Sequence, residues 1–120
     1  MAFMFENLAV YQRAMDLAEQ IATLTETFPR GYYFLTDQLN RAALSIATNL
    51  AEGNGRFTKA DRKNFFVVAR ASAQECVPLV DLAFRKRFLS ESARLEVRER
   101  MEVIAKMISG LISGMDKRQA

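Results

Sequence analysis

The chain has no histidine and no tryptophan, and only one cysteine, two prolines and five glycines in 120 residues. Each scarcity removes a class of answer. Without histidine there is no Ser-His-Asp triad, no imidazole metal ligand and no Glu-x-x-His pair of the kind that di-iron helix bundles use. A single cysteine, Cys76, excludes an intramolecular disulfide and makes a reducing, cytoplasmic location the expectation. The N-terminal MAFMFENL lacks the basic n-region and long apolar h-region of a secretory signal. The longest apolar runs, FFVVA and CVPLV, fall far short of the roughly 20 residues that cross a bilayer, so no membrane contact is expected. Carboxylates alone can bind a hard cation, but Glu52 and Glu75 fall near opposite ends of the predicted fold and form no cluster. No catalytic residue, metal site or cofactor is predicted, and the chain does not read as an enzyme.

What remains is an ordinary globular composition, with half the residues apolar and 26% charged, long enough for one domain with a real core. The net charge of +3 is unevenly spread: residues 1–57 carry 4 basic and 6 acidic side chains, and residues 58–120 carry 13 and 8. A basic second half favours contact with polyanions without requiring it.

Apolar residues recur throughout at helical spacing, and no stretch alternates as a strand would. The first predicted helix covers about 6–27, with Leu8, Tyr11, Ala14, Leu17, Ile21, Leu24 and Phe28 on one stripe. Pro29 and Gly31 should end it, the glycine by accepting a left-handed exit. The second covers about 33–52, on Leu35, Leu39, Ala42, Ala43, Ile46 and Leu50, and the GNG at Gly53–Gly55 should stop it. The third covers 59–88, capped by Thr58 with Asp61 three residues on. Pro78 inside it is expected to kink the helix by freeing the Gln74 carbonyl, with a split as the alternative. The fourth, capped by Ser90, covers 91–115 on a seam of Met101, Ile104, Ile108, Leu111 and Met115.

Short connections force successive helices antiparallel, so the predicted fold is an all-α, up-and-down four-helix bundle. Basic residues then gather at both ends. Arg30, Arg85, Lys86 and Arg87 lie at one, while Arg56, Lys59, Arg62, Lys63, Lys117 and Arg118 lie at the other as candidate nucleic-acid contacts.

The most informative stretch is QLNRAALSIATNLAEGNGR. Gln38, Arg41, Ser45, Asn49 and Glu52 fall on one stripe beside the apolar one, with Thr48 among them. An antiparallel third helix sets Arg41 near Ser72 and Glu75 near Gln38. The expectation is a partly buried Arg41–Glu75 ion pair with Gln38 and Ser45 as neighbours, between helices or between subunits, because buried charge needs a partner.

Other features have structural readings. Cys76, with Ala73, Val80 and Phe84 around it in helical spacing, reads as a buried thiol rather than a nucleophile. GNGR lacks the Lys-Ser of a phosphate loop and a preceding strand, so it reads as turn chemistry before a generic anion site. Phe65 and Phe66 read as core. Gly110 and Gly114 permit a close helix approach, or mark fraying near the end of the last helix.

VYQRAMDLAEQI, the TFPRGYYFLTDQLNRAALSIATNLAEGNGR block and KNFFVVARASAQEC together resemble the four-helix-bundle proteins of the 23S rRNA-intervening-sequence type. The likeness is most specific at Gln38, Arg41, Ala42, Ser45, Ile46, Asn49, Ala51, Glu52 and Gly53, and Glu75 matches the acidic residue of that family's third helix. It weakens in the last helix, and Asn40 stands where a basic residue is frequent. The resemblance implies a left-handed bundle assembled as a homo-oligomer, a ring of five, and a role near RNA or beside a reverse transcriptase-type partner. The expected function is a non-enzymatic oligomeric scaffold or adaptor. The alternative is an RNA- or nucleic-acid-binding accessory protein using the basic bundle ends.

Overall fold

The structure, a computed structural model, describes residues 3–117. Four helices account for most of them: α1 at Ala9–Thr25, α2 at Tyr33–Asn54, α3 at Lys59–Arg85 and α4 at Glu91–Lys117. Short 3-10 turns cover Met4–Asn7 and Arg30–Tyr32, and no strand occurs among the described residues. Each helix packs on the next, and α1 returns against α4, which closes the bundle. The core forms where the four apolar stripes converge, on Leu17, Ile21, Leu35, Ile46, Val80 and Ile104 with others, all essentially inaccessible to water.

Helix ends follow local chemistry. Thr58 Oγ1 accepts from the Asp61 N–H at 3.1 Å, and Ser90 Oγ accepts from Ala93 N–H at 3.1 Å, so each hydroxyl satisfies an orphan donor of a first turn. At one end of the bundle the α1–α2 and α3–α4 connections meet through aromatic rings. Phe88 lies 5.4 Å from Phe28 and 4.8 Å from Tyr32, centroid to centroid. At the other end Lys63 Nζ of α3 meets Asp116 Oδ1 of α4 at 2.9 Å.

Several boundaries differ from the sequence reading. α1 starts at Ala9 rather than Glu6, because Leu8 is extended and separates it from the preceding turn, and it ends at Thr25. No glycine has positive φ, so Gly31 supplies no left-handed exit and sits instead in a 3-10 turn. α2 runs through Gly53 and stops at Asn54. The GNG segment does end α2, as expected, at Asn54 with Gly55 as the C-cap, while Gly53 itself lies inside the helix. A Cβ there would lie 2.8 Å from Phe66 Cε1 and 2.9 Å from Phe65 Cβ, so the missing side chain lets α2 and α3 approach.

α3 ends at Arg85, three residues earlier than expected, on a motif that the sequence disguises. Arg87 takes φ 65°, the left-handed conformation that glycine usually supplies. The Arg87 N–H then bonds the Phe84 carbonyl at 2.8 Å and the Phe88 N–H bonds the Ala83 carbonyl at 2.9 Å, the paired bonds of a Schellman ending. Pro78 does not split α3, which is helical from end to end. Pro78 and Gln74 are both exposed, so the freed carbonyl lies on a face that water can reach.

Candidate interaction face on α2 and α3

The polar stripe of α2 divides into an inner and an outer part. Inside, Ser45 Oγ lies 2.9 Å from Ser72 Oγ of α3. Asn49 Nδ2 donates to Ser45 Oγ at 2.9 Å and to the Ser45 carbonyl at 2.8 Å. This cluster is half-buried, flanked by Ala42, Ala69 and Ala73, whose small side chains leave room for the hydroxyls. Outside, the charged members sit in water. Glu52 pairs at 3.5 Å with Arg56, just past the end of α2, and Gln38 is exposed.

The expected Arg41–Glu75 ion pair does not form within the chain. Arg41 Nη1 instead lies 3.6 Å from Asp37 Oδ2, with the Arg41 side chain 79% exposed. Glu75 is exposed and makes no ion pair among the described residues. Register and side-chain direction together explain the difference. Ser45 rather than Arg41 faces Ser72, which moves Arg41 up to the level of Glu75, but both point to the outer lip of the interhelix seam. There Asp37, one turn back on the same helix, is the nearer anion. Arg41 and Glu75 nevertheless line one shallow groove of about 420 Å³, together with Leu44, Ser45, Thr48 and Ser72.

Apolar side chains flank that charged pair. Phe34, Arg41 and Thr48 step by seven along α2, and Val68, Glu75 and Leu82 step by seven along α3. In the antiparallel register set by Ser45 and Ser72, Phe34 falls level with Leu82, and Thr48 with Val68. Phe34, Leu44, Val68 and Leu82 are all exposed. Immediately beneath Glu75, Cys76 is buried; burial, and then the Glu75 charge, push its thiol up to about 12.

The basic end is less available than its residue count suggests. The Arg56 guanidinium, already held by Glu52, lies 4.6 Å above the Phe65 ring. Lys63 is held by Asp116, and Lys59 is engaged as well. Arg62 is half-buried, and Lys117 is exposed in the last turn of α4. Arg118 lies outside the described residues. The fold thus brings Arg56, Lys59, Arg62, Lys63 and Lys117 to one end, with acidic partners interleaved.

Several interhelix contacts escaped the sequence reading, among them the following. Asn40 Nδ2 donates to Thr25 Oγ1 at 2.9 Å, tying α2 to α1, while Thr25 Oγ1 donates to the Ile21 carbonyl at 2.9 Å. Asp81 of α3 lies 3.5 Å from Arg94 Nη1 and 4.0 Å from Arg98 Nη1 of α4, and the Arg94 guanidinium stacks 4.5 Å over the Phe84 ring. The Asp81–Arg94 approach is an ion pair without hydrogen-bond geometry, since Asp81 Oδ1 and Arg94 Nε have no hydrogen-bond partner. Their signal was present, as polar residues next to apolar stripes, but only the register shows which ones meet.

Among the described residues no three of Cys, Asp or Glu are placed to hold a metal ion, and no helix is long and apolar enough to cross a membrane. A family profile described as 23S rRNA-intervening sequence protein matches residues 6–110. The chain belongs to that family. Among solved structures, it is similar to a protein with unknown function from the S23 ribosomal protein family of Bacteroides thetaiotaomicron VPI-5482. The two share 20% identity and a TM-score of 0.82 over 92% of this chain and 99% of that one, a likeness of fold. Comparison with curated proteins finds no match. In this 23S rRNA-intervening sequence protein the matched span takes in the whole α2–α3 face.

Proposed function

We propose that this protein is a non-enzymatic scaffold or adaptor that assembles with copies of itself, as the ring of five that its family resemblance suggests, through the outer face of α2 and α3. The observation that carries this reading is the pairing on one face of Arg41 and an unpartnered Glu75, bracketed by exposed Phe34, Leu44, Val68 and Leu82. An apolar patch rimmed by charge marks an interaction site more often than bare surface does. The two charges have opposite sign, so Arg41 of one copy can meet Glu75 of the next. A ring uses this contact head-to-tail, in one direction only, because a reciprocal exchange would close a dimer. The internal Arg41–Asp37 contact is an exposed i,i+4 pair of only a few tenths of a kcal/mol, and it yields readily to a better-buried partner. Nucleic acid has weaker support, because several cations of the basic end already have partners within the chain.

Sedimentation velocity in the micromolar range tests the reading. Wild type is expected well above its 13.6 kDa chain mass. Arg41→Glu is expected to sediment as a folded monomer, and Arg41→Glu combined with Glu75→Arg to recover assembly. A monomeric wild type, or an Arg41→Glu variant with unchanged assembly, overturns it. Steeply salt-dependent binding of structured RNA by a wild type that remains monomeric would favour the nucleic-acid alternative.

A further inference from the structure

A cleft of about 590 Å³ opens at the bundle end between the start of α1, the start of α3 and the end of α4. That volume lies in the range of about 300–1,000 Å³ typical of small-molecule sites. Its walls are mainly apolar, with Leu8, Phe66, Met107, Leu111 and Met115 the main contributors and Asn54 and Arg62 the polar side chains. Three methionine- or leucine-bearing turns of α4 supply an adaptable floor.

Two observations separate this cleft from an incidental gap. Gly110 and Gly114 line it, and a Cβ built on either meets nothing within 4 Å. Gly53 is small because Phe65 and Phe66 press on it, whereas no contact inside the chain requires these two to be small. Their effect is to leave the cleft open. Secondly, the described residues that line the cleft carry one charge. It is that of Arg62, whose Nε is buried and has no hydrogen-bond partner, and none of those lining residues is acidic. A half-buried guanidinium in apolar surroundings lacks the anion that would normally compensate it.

We propose that this cleft binds an amphipathic carboxylate, with the carboxylate at Arg62 and the hydrocarbon chain along Met107, Leu111 and Met115. The missing anion sets the sign of the head group, and the apolar walls exclude a polyanion as occupant. The proposal is independent of self-assembly, since the groove of Arg41 and Glu75 lies on a different face.

Calorimetric titration of the full chain with decanoate, below its micelle concentration, tests this, with decyltrimethylammonium as the probe of opposite charge. Saturable binding of decanoate is expected, at least tenfold tighter than that of the cation. Arg62→Met should weaken decanoate at least tenfold. Gly114→Leu, which has room for its side chain, should abolish binding while circular dichroism and a cooperative melt stay native. Should that variant fail to fold, Gly110→Leu serves the same purpose. No saturable binding, equal binding of the two probes, or binding unaffected by filling the cleft each overturns the proposal. So does a wild type that binds no decanoate and loses its oligomeric state on Gly114→Leu, since the cleft is then a seam between copies.

Discussion

Ser45 Oγ and Ser72 Oγ lie 2.9 Å apart and bridge α2 to α3 beside the buried Ala42, Ala69 and Ala73. The bridge fixes which turn of α3 faces which turn of α2, and so places Arg41 and Glu75 on one lip. Ser72 is 7% exposed, so its hydroxyl cannot simply turn to water. Ser72→Ala is expected to cost about 0.5–1.5 kcal/mol in urea denaturation, the worth of one net hydrogen bond. The low end is favoured because Ser45 Oγ keeps Asn49 as a donor. A double-mutant cycle with Ser45→Ala should show coupling above about 0.5 kcal/mol; strict additivity would mean the two hydroxyls do not interact.

Two glycines in helices should respond oppositely to alanine. At Gly53 the new methyl meets Phe65 Cβ at 2.9 Å, an atom fixed to the α3 backbone, so the helices must separate. Overpacking of this kind costs about 1–3 kcal/mol and outweighs the gain in helix propensity of about 1 kcal/mol. At Gly110 nothing lies within 4 Å, and alanine should stabilise by about 0.4–1 kcal/mol. Thermal melts of the two variants should therefore move in opposite directions, and a shift of the same sign in both would contradict the close α2–α3 approach.

The periodicity of apolar residues carried the four helices, because burial of a stripe is a property each segment shows on its own, and the short connections carried their antiparallel order. The loops on Phe28 and Phe88 could be placed together for the same reason. What escaped was decided between segments. GNG was legible as the end of α2, but nothing in it reveals that Phe66 packs over Gly53. Arg41 looked like a buried ion because one turn of register separates the seam from its lip. Asp81 and Arg94 were unremarkable until α3 and α4 were set side by side. The stripe from Gln38 to Glu52 was legible as a unit, but not its division into a half-buried hydroxyl cluster and an exposed charged rim.

Arg87 shows how a helix ending can hide. With no glycine at the position, the α3 pattern read on to Phe88, yet Arg87 adopts φ 65° and closes the helix. A non-glycine residue in this conformation carries roughly 1–2 kcal/mol of steric cost, against which glycine loses about 0.5–1 kcal/mol of backbone entropy. Arg87→Gly should thus stabilise by up to about 1 kcal/mol, read as a raised midpoint in urea with unchanged slope. Arg87→Val, β-branched in the same backbone, should lower it. A destabilised glycine variant would show that the arginine side chain contributes more than its backbone strain removes.

Cys76 gives the fold a pH dependence with a defined sign. Burial first, and the Glu75 charge second, raise the folded thiol from an ordinary value of 9.0 to about 12. The stability gained by keeping that proton is complete below about pH 9. As pH rises from 9.0 toward about 12, the unfolded chain releases a proton that the folded chain retains, so unfolding becomes progressively easier. The useful quantity is the difference between wild type and a variant without the thiol. Between pH 8 and pH 10.5, wild type should lose more stability in urea than Cys76→Ala does, and parallel losses would contradict the burial argument. The thiolate is the reactive form, so a thiol reagent at pH 8 should leave the native protein unmodified and label Cys76 fully once urea unfolds it. Rapid labelling in native buffer would mean that the seam beneath Glu75 opens to solvent without global unfolding.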